Sequence, residues 1–195
     1  PSFAFEVTQG KPTTLVVASD NETNTEVWSK AIQTETTRAY MNSDMIGVEI
    51  GGAIKNVLAI AAGIASGLGF GANTQAAIIT RGLSEMKRLG KALGTEEKTF
   101  YGLSGLGDLV LTCSDDLSRN RRFGKELAKN NNIDDALKNV GATVEGLNTL
   151  KMVLKLSKKY KVELPICEQV SKVVIGENSP GDAVKALMSR EQISE

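Results

Sequence analysis

The chain has 195 residues, with 23 basic and 23 acidic side chains, 5% aromatics and no histidine. Zero net charge argues against a general binder of nucleic acid or membrane surfaces, and scarce aromatics argue against a stacking platform for single strands. Without histidine there is no Ser-His-Asp or Cys-His catalysis and no His-ligated zinc, so acid–base chemistry falls to Lys, Asp, Glu, Tyr or Cys.

This length allows one large domain or two small ones around a real core. Cys113 and Cys167 form no C-x-x-C pair, which fits a reducing compartment and two small buried hydrophobes. The opening Pro-Ser-Phe-Ala-Phe has neither the basic n-region nor the apolar run of a secretory signal. It lacks an initiator Met and starts as if in mid-element, so the chain is expected to be a piece of something longer.

Residues 1–47 read as α/β. Phe3 to Val7 alternates like a short strand, and Thr13 to Ala18 is a continuous β-branched strand of the kind covered on both faces. Thr23 or Asn24 is the expected cap of a short helix through Trp28 and Ile32, and Thr37 to Met41 reads as a third strand. Ser43-Asp44 then leads into the apolar run Val48 to Ala65. That run approaches membrane-spanning length, but Glu49, Lys55 and Asn56 make a span expensive, and it reads as a soluble core helix.

Lys55 is the unusual residue of that helix. Its neighbours on the same face are Gly51, Gly52, Ala59 and Ala62, so its ammonium stands over a depression. One reading is close helix packing over the glycines with the lysine stem reaching water; the other is a functional ammonium that needs a partner.

From there on no stretch reads as a clear strand. Ser66 to Gly71 is a Gly-rich hinge, and Thr74 to Leu93 is a helix with Ile79, Leu83, Met86 and Leu93 on one stripe, stopped by Gly94. A short helix covers Glu96 to Tyr101, and Leu109 to Cys113 is open between helix and strand. Ser118 is the expected N-cap of a helix through Ala128, followed by a loop at residues 130–132, a short helix Ile133 to Asn139 and a longer one Val144 to Tyr160. Pro165 and Pro180 open helices through Val174 and Met188, and the tail after Arg190 is expected to be loose.

Three glycine clusters invite a nucleotide reading, but none has G-x-G-x-x-G spacing after a strand with an acidic residue some 20 positions on, so no dinucleotide fingerprint is present. Asp108 closes a Gly-rich turn before an apolar run. It is placed either to cap a helix or to hold Lys55. Arg119 and Arg121 fall in the first turn of a helix, where cations oppose the macrodipole. They are either a solvated surface or, with the free N–H groups, an anion site.

These residues also carry a resemblance. The blocks Gly47-Val-Glu-Ile-Gly-Gly-Ala-Ile-Lys55-Asn56, Gly67-Leu-Gly-Phe-Gly-Ala-Asn73, Gly105-Leu-Gly-Asp-Leu-Val-Leu-Thr-Cys113, Ser118-Arg-Asn-Arg-Arg-Phe-Gly124 and Val144-Glu-Gly146 closely resemble bacterial NAD(P)-dependent sn-glycerol-3-phosphate dehydrogenases, in order along essentially the whole chain. The resemblance implies a mainly α fold. Residues 1–43 would be an α/β remnant of a Rossmann-type dinucleotide-binding domain, and residues 44–195 an all-helical substrate domain. The implied reaction is hydride transfer between NAD or NADP and the central carbon of dihydroxyacetone phosphate, giving sn-glycerol 3-phosphate for glycerophospholipid synthesis. It implies no metal, no nucleic acid and no membrane span. It also implies a cytoplasmic setting and a possible homodimer.

Residue by residue, the resemblance makes Lys55 the catalytic proton donor and acceptor. Ser2, Lys55, Asp108, Ser118, Arg119 and Asn120 would contact substrate, with Asn56 and Thr112 as secondary positions. Ala4, Arg119, Thr143 and Glu145 would contact cofactor. The rival readings are a related 6-phosphogluconate or β-hydroxyacid-type dehydrogenase, which shares a lysine on a long helix, and a non-catalytic helical dimerisation module. On the favoured reading the chain alone is expected to be inactive, because the main cofactor cradle lies elsewhere.

Overall fold

A computed structural model describes residues 1–189; the tail expected to be loose lies outside the described residues. The chain opens with α1 (Ala4–Thr8), not with a strand: Glu6 and Val7 donate their N–H groups back to the Phe3 carbonyl. Five residues of alternation at Phe3, Phe5 and Val7 are too few to fix a period, and none of α1 is buried. Strands β1 (Thr13–Ala18) and β2 (Thr37–Asn42) pair in parallel from Thr13↔Thr37 to Ala18↔Asn42. They are joined by α2 (Glu22–Ile32), as parallel strands require a crossover. The cap of α2 is Asn21, whose Oδ1 accepts from the Asn24 N–H at 3.1 Å, rather than Thr23 or Asn24. Only Thr13 of β1 is buried, so the strand expected to be covered on both faces is half-covered.

The rest of the described chain is helical. It comprises α3 (Met45–Gly67), α4 (Ala72–Ala92), α5 (Glu97–Phe100), a π-turn (Leu103–Gly107), α6 (Asp108–Ser114), α7 (Arg119–Asn130), α8 (Ile133–Val140), α9 (Glu145–Tyr160), α10 (Pro165–Val174) and α11 (Pro180–Met188). Gly69 and Gly94 adopt φ of +83° and +80° at the ends of α3 and α4, a conformation that favours glycine. The open run Leu109 to Cys113 is helix.

α3 is the axis. It is long and apolar enough to cross a membrane, yet α4, α6, α7, α9 and α10 pack around it, and Ile54, Val57, Leu58, Ala59 and Ile60 are each no more than 1% exposed. This is the core helix of a packed bundle. Asp44 starts it, accepting from the Gly47 N–H through Oδ1 and from the Glu96 N–H and Thr99 hydroxyl through Oδ2. Burial opposes the charge, but these hydrogen bonds together hold the Asp44 carboxyl below its ordinary pKa. One carboxylate thus caps α3 and ties it to the chain entering α5.

Two contacts set how helices meet in this bundle, one between α3 and α7 and one between α4 and α10. Gly63 of α3 lies so close to α7 that a Cβ would overlap the Arg121 carbonyl, and a Cβ on Gly124 would overlap the Ile60 carbonyl and stand 2.8 Å from the Ile64 nitrogen. At the far end, Glu85 of α4 is 1% exposed and accepts from the Ile166 and Cys167 N–H groups at 2.5 and 3.2 Å, serving the first turn of α10. Burial pushes the Glu85 carboxyl above its ordinary pKa, and the two N–H donors partly offset this. Both cysteines are buried free thiols; burial pushes Cys113 up to about 12, against the Arg121 charge, and Cys167 is also raised by burial and by Glu85. Neither is a nucleophile at neutral pH.

Candidate functional site

Lys55 leaves α3 beside the π-turn. A Cβ on Gly51 would overlap the Ser104 carbonyl, so only glycine lets this turn lie directly on α3. A Cβ on Gly52, three residues before Lys55, would meet nothing. The π-turn delivers Asp108 as the first residue of α6. Its side chain makes no capping bond; instead its carboxylate contacts the Lys55 ammonium. Of the two readings of Asp108, the pairing is the one realised. Both side chains are mostly covered, at 21% and 16% exposure, and an ammonium there would be costly without its carboxylate. The buried Thr112 hydroxyl donates to the Asp108 carbonyl at 2.6 Å and steadies the first turn of α6.

The next residue of α3 reaches the other half of the site. Asn56 is buried, and its Oδ1 accepts from Asn120 Nδ2 at 3.0 Å; Asn120 Oδ1 in turn accepts from the Gly146 N–H at 2.9 Å. Three elements, α3, α7 and α9, are joined here through two side-chain amides.

Ser118 is the N-cap of α7, accepting from the Arg121 N–H at 3.2 Å. The first turn of α7 has no acidic residue. Two of its arginines are turned back to the preceding loop. Arg121 pairs with the Asp116 carboxylate and donates to Ser66 Oγ, and Arg122 donates to the Asp116 carbonyl. Arg119 is different: it is exposed, and its guanidinium meets the exposed Glu145 carboxylate at 3.3 Å. The helix start therefore offers backbone N–H groups and one accessible guanidinium, a combination suited to an anion.

The remaining candidates lie at the margin. The Pro1 nitrogen is 3.9 Å from Asp108, which brings the opening segment to the lysine pair; Ser2 and Ala4 are exposed. Thr143 is exposed in the turn before Val144, the N-cap of α9. Among the described residues no three His, Cys, Asp or Glu side chains gather as a metal site would require.

Two features escaped the sequence. Asn56 and Asn120 are 64 positions apart, and nothing local announces that their amides bond. Glu85 is a lone carboxylate on a face of α4 whose neighbours Gly82 and Leu89 are buried. That placement is a signal that a carboxylate there needs donors.

Residues 44–185 match the family model described as the NAD-dependent glycerol-3-phosphate dehydrogenase C-terminus. A protein of Ruthia magnifica named glycerol-3-phosphate dehydrogenase [NAD(P)+] is 66% identical over all 195 residues, and one of the same name from Hydrogenovibrio crunogenus is 50% identical over 196 aligned positions. The chain spans 61% and 57% of these relatives' lengths. The crystal structure of glycerol-3-phosphate dehydrogenase from Coxiella burnetii superposes with a TM-score of 0.95 at 43% identity, covering 97% of this chain and 58% of that one. The match runs through the helices that carry Lys55, Asp108 and Arg119, and the chain belongs to the NAD-dependent glycerol-3-phosphate dehydrogenase family.

Proposed function

We propose that this chain supplies the substrate-binding and proton-transferring part of an enzyme that interconverts dihydroxyacetone phosphate and sn-glycerol 3-phosphate with NAD or NADP. The observation that carries this reading is the Lys55–Asp108 contact, joined through the neighbouring Asn56–Asn120 bond to the cationic start of α7. Residues 1–43 are read as part of a dinucleotide-binding domain and 44–195 as the substrate domain; the family match from Asp44 supports that division. The family match also favours this substrate over a 6-phosphogluconate or β-hydroxyacid.

Reduction of a ketone leaves developing negative charge on its oxygen, which needs a proton donor within hydrogen-bond reach. With no histidine in the chain, Lys55 fills that role, and Asp108 holds its ammonium in place. The phosphate of a triose phosphate is a dianion, and the α7 start with Arg119 offers it donors. Arg119 and Glu145, exposed and paired at the rim, fit a cofactor with both phosphate and hydroxyl groups. When bound, the nicotinamide supplies or accepts the hydride. Ser2, Ala4 and Thr143, all exposed, are read as further substrate and cofactor contacts. A cytoplasmic setting agrees with the two free thiols.

Titration of the chain with dihydroxyacetone phosphate and with inorganic phosphate, followed by calorimetry, tests the reading. Arg119→Ala is expected to weaken both ligands by about tenfold or more, the loss of one charge-assisted hydrogen bond. Equal affinity in the variant would place the phosphate elsewhere.

A further inference from the structure

We infer that Asn56 is a positioning residue that, together with the Gly146 N–H, fixes which way the Asn120 amide faces, so that Asn120 offers an N–H rather than a carbonyl oxygen to an anion at the start of α7. The inference rests on the substrate reading above and deepens it. Side-chain amides are nearly symmetric in shape, so their orientation is set by what their partners can donate or accept. Here both ends of the relay are backbone groups of fixed polarity. The Gly52 carbonyl, an acceptor, lies 3.4 Å from Asn56 Nδ2 and favours that nitrogen over the oxygen on its side. This leaves Asn56 Oδ1 toward Asn120, which must then present Nδ2. At the other end the Gly146 N–H, a donor, requires Asn120 Oδ1. All three bonds run in one direction, from Gly146 through both amides to Gly52, and such chains strengthen one another.

The consequence lies in the donor that remains. A primary amide carries two N–H groups, and Asn120 uses one on Asn56. Its second N–H belongs to the residue directly after Arg119, in the first turn of α7, where donors gather and the dipole favours negative charge. Flipping the amide would set a carbonyl oxygen against a dianion. Asn120 is 6% exposed and Asn56 9%, so bulk water does not readily take over either end. Asn56 thus acts through Asn120 and need not touch the ligand.

The test is a titration of the isotope-labelled full chain with inorganic phosphate, followed by NMR of the side-chain amides. In the unsubstituted chain, one Asn120 Nδ2 proton is expected to shift with the Arg119 signals while the proton held by Asn56 stays in place. Asn56→Ala is expected to weaken phosphate by about tenfold and to remove the difference between the two protons. A purely structural Asn56 would lower the melting temperature but leave the phosphate affinity of the folded protein unchanged, and that result would overturn the inference. So would a response at Arg119 with neither Asn120 proton moving, a measurement that needs no variant to fold. Absence of any response at the start of α7 would overturn the substrate reading and this inference together.

Discussion

Lys55→Ala is expected to lower kcat by about 10²- to 10⁴-fold, the range contributed by a positioned general acid. The assay is nicotinamide absorbance, with the chain joined to the portion of its 66%-identical relative that it does not match. KM for dihydroxyacetone phosphate should change much less if, as proposed, the phosphate is held at α7 rather than by the ammonium. Lys55→Arg sharpens the result. It keeps a positive charge beside Asp108 but removes the transferable proton, since a guanidinium does not deprotonate in proteins. If Lys55 only stabilised negative charge, Arg would restore much of the rate; if it passes a proton, Arg should stay close to Ala. A near-normal kcat in Lys55→Ala would remove the lysine from the chemistry.

Gly124→Val should be among the most destabilising single changes in the chain. A side chain there has no room to move into, because what it meets is backbone: the Ile60 carbonyl, the Ile64 nitrogen and the Gly63 Cα. Overpacking of this kind costs about 1–3 kcal/mol and sometimes more, and helix-to-helix backbone contact puts this site at the upper end. For a chain of this size a 3 kcal/mol loss lowers Tm by about 6–12 °C. The same displacement would carry Arg119 and Asn120 away from Asn56, so phosphate affinity should fall with stability. Gly52→Ala is the control. It lies in the same long helix with open space where its Cβ would go, and removing a helical glycine there should raise stability by about 0.5–1 kcal/mol. Equal melting of the two variants would mean that α3 and α7 do not meet as described.

The two halves of the account differ in how far the amino-acid order announces them. The helix around Lys55, the Ser118 cap and the prolines opening α10 and α11 are written in local signals, and the structure realises each of them. The same holds for the strand Thr13–Ala18, whose β-branched content is locally decisive, and for the strand expected over Thr37 to Met41, which runs to Asn42; their parallel pairing is a tertiary fact. Where local signals were weak, expectation and structure part: Phe3 to Val7 alternates but forms α1, and among the described residues no strand pairs with it. The site follows the same rule. Lys55 stood out through its small neighbours and the arginines through their conflict with the helix dipole, each within one turn of chain. What joins them was not legible. Lys55 and Asp108 are 53 positions apart and Glu85 and Ile166 are 81, so those contacts depend on how the helices stack around α3.

Stacking of that kind is best checked with substrate in place. Diffraction from crystals of the chain soaked in dihydroxyacetone phosphate should show the carbonyl oxygen within hydrogen-bond distance of Lys55 Nζ and the phosphate at the first turn of α7, beside Arg119. A phosphate bound away from α7, or a carbonyl turned from Lys55, would contradict the arrangement on which the proposed chemistry depends.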